Sequence, residues 1–578
     1  MTSDVATDQP TRKHPPEGDA ESPGSTGAAR PEPRGWAWSL ARFGYRDRPP
    51  TSLRERLVPS YTDNSAYTGG GWLPCVLVTL LAGFIRFWNL GRPRAVIFDE
   101  TYYAKDGWSL LELGYEGTWP KEANEQILAG QHDILQTQGS YIVHPPIGKW
   151  TIALGEQLFG LTPFGWRFAL AVLGTLSVLM LCRIGRRLFR STLLGCVAGL
   201  LMSLDGLHFV MSRTSLLDLV LMFWILAAFG CLLIDRDDTR AIAARLFESG
   251  PDAARAASMK FGLRPWRIMA GICLGLACGT KWSGIYVLAA FGVMTVLWDA
   301  GTRRACGARR PYRATLRHDV LFAFLSTVLV ALMIYIWSWT GWLMTDDGYF
   351  RDWADHRAGL SPGSLDLKLF SVPLPQFGMT WVPAPLRSLW HYHSEMWNFH
   401  TGLDSPHPYQ SNPWSWLVLG RPVAYYFETV HQGTAGCTEQ DCYQTVLGIG
   451  TPLLWWTGVI AVGYLLFRWA GRRDWRAGAI LCGLAAAYLP WMAYQQRTIF
   501  LFYAVAFVPF LCLAVTMMLG ALLGPPGAGE RRRAWGTAGV VAIIALIAWN
   551  FLYFYPIFTG ETISRSGWLD RMWFSTWI

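Results

Sequence analysis

The chain has 578 residues, 52% of them hydrophobic and only 16% charged, with 31 Trp and a formal net charge of +9. Soluble domains carry nearer a quarter of their residues as charged types, so a soluble globular body is excluded. The basic residues stand between apolar runs and no nucleic-acid motif accompanies them, which assigns the positive charge to membrane anchoring.

From Met1 to about Tyr61 the chain is rich in Pro, Gly, Ser, Asp and Arg and has no apolar period. Residues 1–70 are expected to form a cytoplasmic tail, largely disordered and without a signal-peptide core. Apolar runs of about 18 or more residues then recur, each enough to cross ~30 Å of hydrocarbon. They predict an all-α polytopic membrane protein with eleven transmembrane helices near 72–90, 165–184, 192–210, 215–234, 267–281, 284–298, 319–342, 451–468, 477–494, 498–523 and 535–555. With the N-terminus in the cytoplasm, this count puts every basic cluster inside. These clusters are Arg183 to Arg190, the Lys and Arg between Asp235 and Arg267, those between Arg303 and Arg317, Arg468 to Arg476, and Arg531 to Arg533. The stretch His144–Gly160 is short and begins HPP, so it is expected to lie as a helix on the outer surface. Three segments then face outward: a first loop at 91–163, a large loop at 343–450 and a C-terminal piece at 556–578. Of eleven Cys, only Cys437 and Cys442 fall outside, as CTEQDC; a short-loop disulfide is the expectation and a metal pair the weaker alternative.

The first outer loop opens with VIFDETYYAKDG, where Asp99 and Glu100 follow directly on an apolar run. On local evidence two adjacent acids read as solvated loop residues at least as well as catalytic ones. Separate cations at the outer ends of spans change the balance: Arg86, Arg167, Arg213, Lys281, Arg421 and Arg497, with Asp218 as a further ionisable group expected to pair with an Arg. Each alone could snorkel to headgroups. Together they form a rim suited to a lipid phosphate, beside carboxylates able to act as a general base. That combination fits glycosyl transfer from a lipid-phosphate sugar. A glycosidase pair is disfavoured, because adjacent acids point apart. His391, His393, Glu395, His400 and His407 suggest a zinc site only weakly, since their spacing fits no helical ligand pattern.

The stretches FDETYYAKDG, VHPPIGKW, SRTSLLD, LGLACGTKWSG, SNPWSWLVLGRPVAYY and QRTIFLFYAVAFVPF occur in this order from the first span to the tenth. The chain resembles the protein O-mannosyltransferases through them, most closely the actinobacterial type. The resemblance implies a GT-C type fold with a catalytic first outer loop, in the cell membrane. It implies inverting transfer of mannose from polyprenyl-phosphate-mannose to Ser or Thr hydroxyls of exported polypeptides at the outer face. Asp99 would be the base and Glu100 its partner; Arg86 and Arg167 match basic positions of the family, and His144, Pro145 and Pro146 match an element that shapes the first loop. Tyr102, Tyr103, Trp282 and Trp414 are candidates for stacking on sugar or seating the loop, against an aromatic belt. No metal and no cofactor beyond the donor is expected from these residues, the need for a divalent ion being left open. Membrane lipid and the secretion machinery are the expected partners, and no nucleic acid. The large loop is too short for the β-trefoil module of eukaryotic members, so acceptor selection through it does not carry over. The competing readings are a related GT-C transferase with another sugar or a lipid or glycan acceptor, and a lipid-linked-sugar transporter.

Overall fold

The computed structural model describes residues 52–61, 70–356, 381–525 and 528–578, with the backbone of 368–369 and 372–373. The expected disorder of the N-terminal tail therefore falls mostly outside the described residues. Within the tail, Leu53–Leu57 is helical, and Leu57 packs with Ala243, Phe247 and Cys306.

The principal helices are α1 (Trp72–Phe87), α2 (Glu100–Leu113), α3 (Ile147–Phe159), α4 (Pro163–Phe189), α5 (Thr192–Ser203), α6 (Gly206–Met211), α7 (Leu217–Leu246), α8 (Pro265–Cys278), α9 (Gly284–Ala305), α10 (Val320–Ser338), α11 (Ala384–Gly402), α12 (Pro452–Arg472), α13 (Trp475–Tyr488), α14 (Val508–Leu523) and α15 (Glu530–Thr559). Among the described residues eight helices are long and apolar enough to cross a membrane, and α1, α5 and α8 are shorter apolar helices, so each of the eleven expected spans has its counterpart. The protein is a multi-pass membrane protein.

Where spans end follows from caps and prolines. Thr162 accepts the Gly165 N–H ahead of Pro163 and starts α4. The expected span 192–210 is broken at Leu204–Asp205, because Asp205 caps α6 by accepting the His208 N–H at 2.8 Å and also receives the Trp455 indole N–H. Pro490 and Pro509 remove backbone donors, and the chain there runs as 3-10 turns over Leu489–Tyr494 and Leu501–Phe507 in place of continuous α-helix. The helices α7, α9 and α15 run past the predicted spans, carrying their charged ends with them.

The middle of the bundle is α7 and the 501–523 segment, 67% and 89% buried over their most apolar stretches, against 22% for the peripheral α10. At the end remote from Asp99, Arg264 and Arg267 pair with Asp235 and Asp299 at 2.6 to 3.1 Å, all four buried. At the Asp99 end, strands β1 (Val423–His431) and β2 (Asp441–Gly448) form an antiparallel hairpin with Val423 opposite Gly448, and Ile563–Ser564 (β3) adds to β2. The register shifts between Ala424 and Tyr426, a bulge that turns Tyr425 inward. Cys437 and Cys442 are bonded at the hairpin tip. The short helix α3 is pressed onto α4, and a Cβ at Gly155 would lie 2.3 Å from the Gly165 carbonyl oxygen. Only glycine permits that approach.

Candidate active site

The first outer loop begins with an irregular stretch, 88–98, whose carbonyls have no helical partners and must find donors elsewhere. Arginines supply them. Arg167 of α4 donates to the carbonyls of Pro93 and Ala95, each at 2.9 Å, and Arg213 donates to those of Arg86, Trp88 and Asn89 at 2.6 to 3.0 Å. Both guanidinium groups are buried.

Helix α2 starts where this stretch ends, with Asp99 at its N-terminal boundary. Phe98, just before it, has φ of 46°, a left-handed conformation that a bulky residue holds only when its surroundings impose it. Here the Phe98 ring is stacked on Tyr425 of the β1 bulge at 5.0 Å and meets Phe502 edge-on at 5.6 Å. The side chain of Asp99 makes no capping bond. Lys281 and Asp218 are near enough for their charges to act on its carboxylate. Burial pushes its pKa up to about 6; Lys281 pulls it down and Asp218 pushes it up. Lys281 donates to both oxygens of Asp218 at 2.8 and 3.0 Å and lies 4.7 Å from the centre of the Tyr503 ring. Asp218 therefore pairs with Lys281, where the sequence led us to expect an arginine.

Glu100 sits one residue further on with a different environment. It is fully buried, its two oxygens take a fork from Arg167 (Nε and Nη2, both 2.8 Å), and they accept the N–H groups of Ile97 and Ser215 at 3.1 Å. The structure thus brings Glu100, expected as the partner of Asp99, and Arg167, expected on the phosphate rim, together inside the protein, where they form a brace beneath the backbone on which Asp99 stands. Arg86 and Arg213, also expected on that rim, are likewise turned into the protein. Arg86 is fully buried and bonds Ser212, His208 and the carbonyls of Ala82 and Met202. Arg421 holds the carbonyls of Pro408, Thr576 and Ile578, which leaves it fastening backbone as well. Of the six expected rim cations, Lys281 and Arg497 remain beside Asp99's cleft.

The far wall of the cleft comes from the HPP turn and from α11, which sequence reasoning weighed only as a metal site. His144 stacks on His400 at 5.2 Å, and its ring is close enough to Lys281, His400, Lys149 and Arg497 for each to disfavour its charged form; with burial as the largest cause, His144 is held well below the ordinary histidine range. Pro145 and Pro146 are buried, and Pro146 precedes α3. Tyr103 is buried on the face of α2 toward Asp99, while Tyr102 is 62% exposed and turned away. Trp282, next to Lys281, donates to the Tyr335 hydroxyl at 2.9 Å and flanks both His393 and His400. Trp414 is 69% exposed and stands outside the cleft. Behind the wall, Lys149 of α3 bonds Glu116 and the His144 carbonyl, and Glu156 is buried with neither oxygen bonded. Among the described residues no group of three or more His, Cys, Asp or Glu is arranged to hold a metal ion. Beside Asp218 and Tyr503 a narrow recess, with room for little more than a water molecule, runs between α7, α9 and the turn after α13, lined by Leu221, Ile225, Val287 and Trp491.

The family model for dolichyl-phosphate-mannose-protein mannosyltransferase matches residues 76–342, and that for the C-terminal four-transmembrane region of protein O-mannosyltransferase matches residues 385–577. The chain is 38% identical over 515 residues to the polyprenol-phosphate-mannose–protein mannosyltransferase of Mycobacterium tuberculosis, covering 88% of this chain and 92% of that one. It is 33% identical over 507 residues to the protein of the same name from Corynebacterium glutamicum, covering 87% and 91%. The Saccharomyces cerevisiae protein O-mannosyltransferase Pmt1-Pmt2 complex bound to the sugar donor shares the fold, with a TM-score of 0.65 at 15% identity over 88% of this chain and 92% of that one.

Proposed function

The chain belongs to the dolichyl-phosphate-mannose-protein mannosyltransferase family, and from that premise we propose that it transfers mannose from a polyprenyl-phosphate-mannose to Ser or Thr hydroxyls of polypeptides, with inversion at the anomeric carbon. The observation that carries this reading is Asp99: a cleft-facing carboxylate with a pKa near 6, beside a lysine and free of structural bonds. Such a group is ionised at neutral pH yet basic enough to accept a proton in the transition state. The acceptor oxygen attacks the anomeric carbon as Asp99 takes its proton, the bond from that carbon to the phosphate oxygen breaks, and the pair of electrons leaves with the phosphate. Lys281 and Arg497 stand where that growing charge is stabilised.

The orientation follows from charge. The basic clusters lie at the end remote from Asp99; there Arg183 bonds the Gly70 carbonyl and Arg240 those of Arg56 and Leu57. By the positive-inside rule that end and the N-terminal tail are cytoplasmic, and Asp99 opens to the outer face of the cell membrane, where exported polypeptides arrive.

The test is transfer of radiolabelled mannose from polyprenyl-phosphate-mannose to a Ser/Thr-rich peptide by the purified protein. Asp99→Asn is expected to lower turnover at least about a hundredfold, with its thermal unfolding preserved. Equal turnover in the two proteins would remove Asp99 as the base.

A further inference from the structure

Helix α11 grips two consecutive groups of the HPP segment, and α3 holds the next. The Tyr392 hydroxyl accepts the Ile142 N–H at 3.0 Å, His400 Nε2 lies 2.7 Å from the Val143 carbonyl oxygen, and Lys149 of α3 donates to the His144 carbonyl. On the other side of the His400 ring, Nδ1 is 3.0 Å from Nη2 of Arg497. These partners fix the proton. A carbonyl only accepts, so Nε2 carries the hydrogen; a guanidinium only donates, so Nδ1 offers its lone pair. His400 is thereby a neutral bridge joining Arg497, which lies in the turn before α14, to the first outer loop. Its neighbour His393 does the opposite, presenting Nδ1 to its own helix at Leu389 and Nε2 to the Tyr335 hydroxyl. The Tyr335 hydroxyl in turn receives the Trp282 N–H beside Lys281.

One group in this arrangement lacks a partner. Arg497 Nε is buried without a hydrogen bond, and a buried guanidinium N–H calls for an acceptor. Its charge and that of Lys281 both act on the His144 and His400 rings, which places the two cations on one side of the same cleft. An oxyanion would supply that acceptor.

We propose that His400 is a positioning residue: it aims Arg497 at the donor's phosphate and couples that aim to the HPP turn. The idea rests on the mannosyl-transfer reading for its physiological ligand, but the bridge itself concerns binding of a lipid phosphate. His400 does not touch the reacting atoms.

The experiment uses the full chain in lipid nanodiscs and radiolabelled polyprenyl phosphate without sugar, alongside transfer kinetics. His400→Phe keeps the ring stacked on His144 and removes both hydrogen bonds. It is expected to weaken polyprenyl-phosphate binding and raise the donor KM by about tenfold, the scale of one hydrogen bond to a charged group. The acid limb of the pH profile, set by Asp99, stays in place. His400→Asn restores an acceptor at the Nδ1 position and is expected to recover most of the affinity. His400→Gln restores a donor toward Val143 alone and recovers less. Wild-type affinity in His400→Phe overturns the proposal. So does a lowered folded yield with unchanged affinity in the folded fraction, which is the signature of a merely structural residue. Lipid-phosphate binding that responds to these variants in a protein that transfers no mannose supports the bridge and removes the transfer reading.

Discussion

Replacing Glu100 by Gln separates a brace from a catalyst. Glu100 and Arg167 are both inaccessible, joined by two 2.8 Å bonds, and Glu100 also receives two backbone N–H groups. The amide keeps one acceptor oxygen and places an NH2 against a donor, so Arg167 retains its carbonyl partners but loses its counter-charge. Breaking a buried pair from one side costs about 3–5 kcal/mol. Arg167→Gln is expected to cost a similar amount, and the double variant less than the sum, because the second change relieves the stranded partner left by the first. Thermal unfolding of the solubilised protein, scored as the monodisperse fraction remaining, measures the first quantity. Mannose transferred per folded molecule measures the second. Glu100→Gln should lower the unfolding temperature sharply while the folded fraction keeps turnover within about a factor of ten of wild type, a small loss beside the 10²–10⁴ of a general base. A Glu100→Gln protein that unfolds like wild type and transfers nothing would refute the brace.

The pH profile should show an acid limb near 6, with turnover falling as pH drops through that value because Asp99 gains a proton. Asp218→Asn removes a charge that raises the Asp99 pKa and frees Lys281 to lower it, so the limb is expected to move to lower pH; a shift to higher pH would contradict the pairing. Glu156 is held protonated by burial and by Asp106, its pKa well above the ordinary carboxyl range. The folded state then keeps a proton that the unfolded chain releases above about pH 4.3, and stability falls as pH rises. Glu156→Gln is expected to gain stability at pH 8 relative to wild type and to match it near pH 4, read by unfolding at the two pH values. Breaking the disulfide with Cys437→Ser and Cys442→Ser releases a loop closed over a separation of five residues, which corresponds to about 2 kcal/mol. Protease sensitivity of the hairpin tip should rise while mannose transfer persists.

Most of the bundle could be read from apolar run length, since a span must be about twenty residues and its flanks obey charge. What the runs could not convey is the direction of a side chain. Arg86, Arg167 and Arg213 occupy the same places along their helices as a phosphate-binding rim would, yet they turn inward: Arg167 and Arg213 serve backbone carbonyls between Arg86 and Ala95, and Arg86 bonds Ser212, His208 and the Ala82 and Met202 carbonyls. The irregular stretch itself was the available signal, because carbonyls outside a helix must find donors. The adjacency of Asp99 and Glu100 concealed a division that depends on helix phase: one residue at the start of α2 faces the cleft and the next faces the core. His400 was judged by ligand spacing, and its true partners, Val143 and Arg497, are too distant in the chain for any local pattern to suggest them.

The cleft is shared between the two matched portions of the chain. Asp99, His144, Asp218 and Lys281 come from residues 76–342, whereas His400, Arg497, Tyr503 and the Tyr425 that stacks on Phe98 come from residues 385–577. Neither portion contains both Asp99 and Arg497. Catalysis is then a readout of docking. Two polypeptides severed inside the large loop and made together should regain transfer only in so far as they reunite, and the rate would count the reunited pairs.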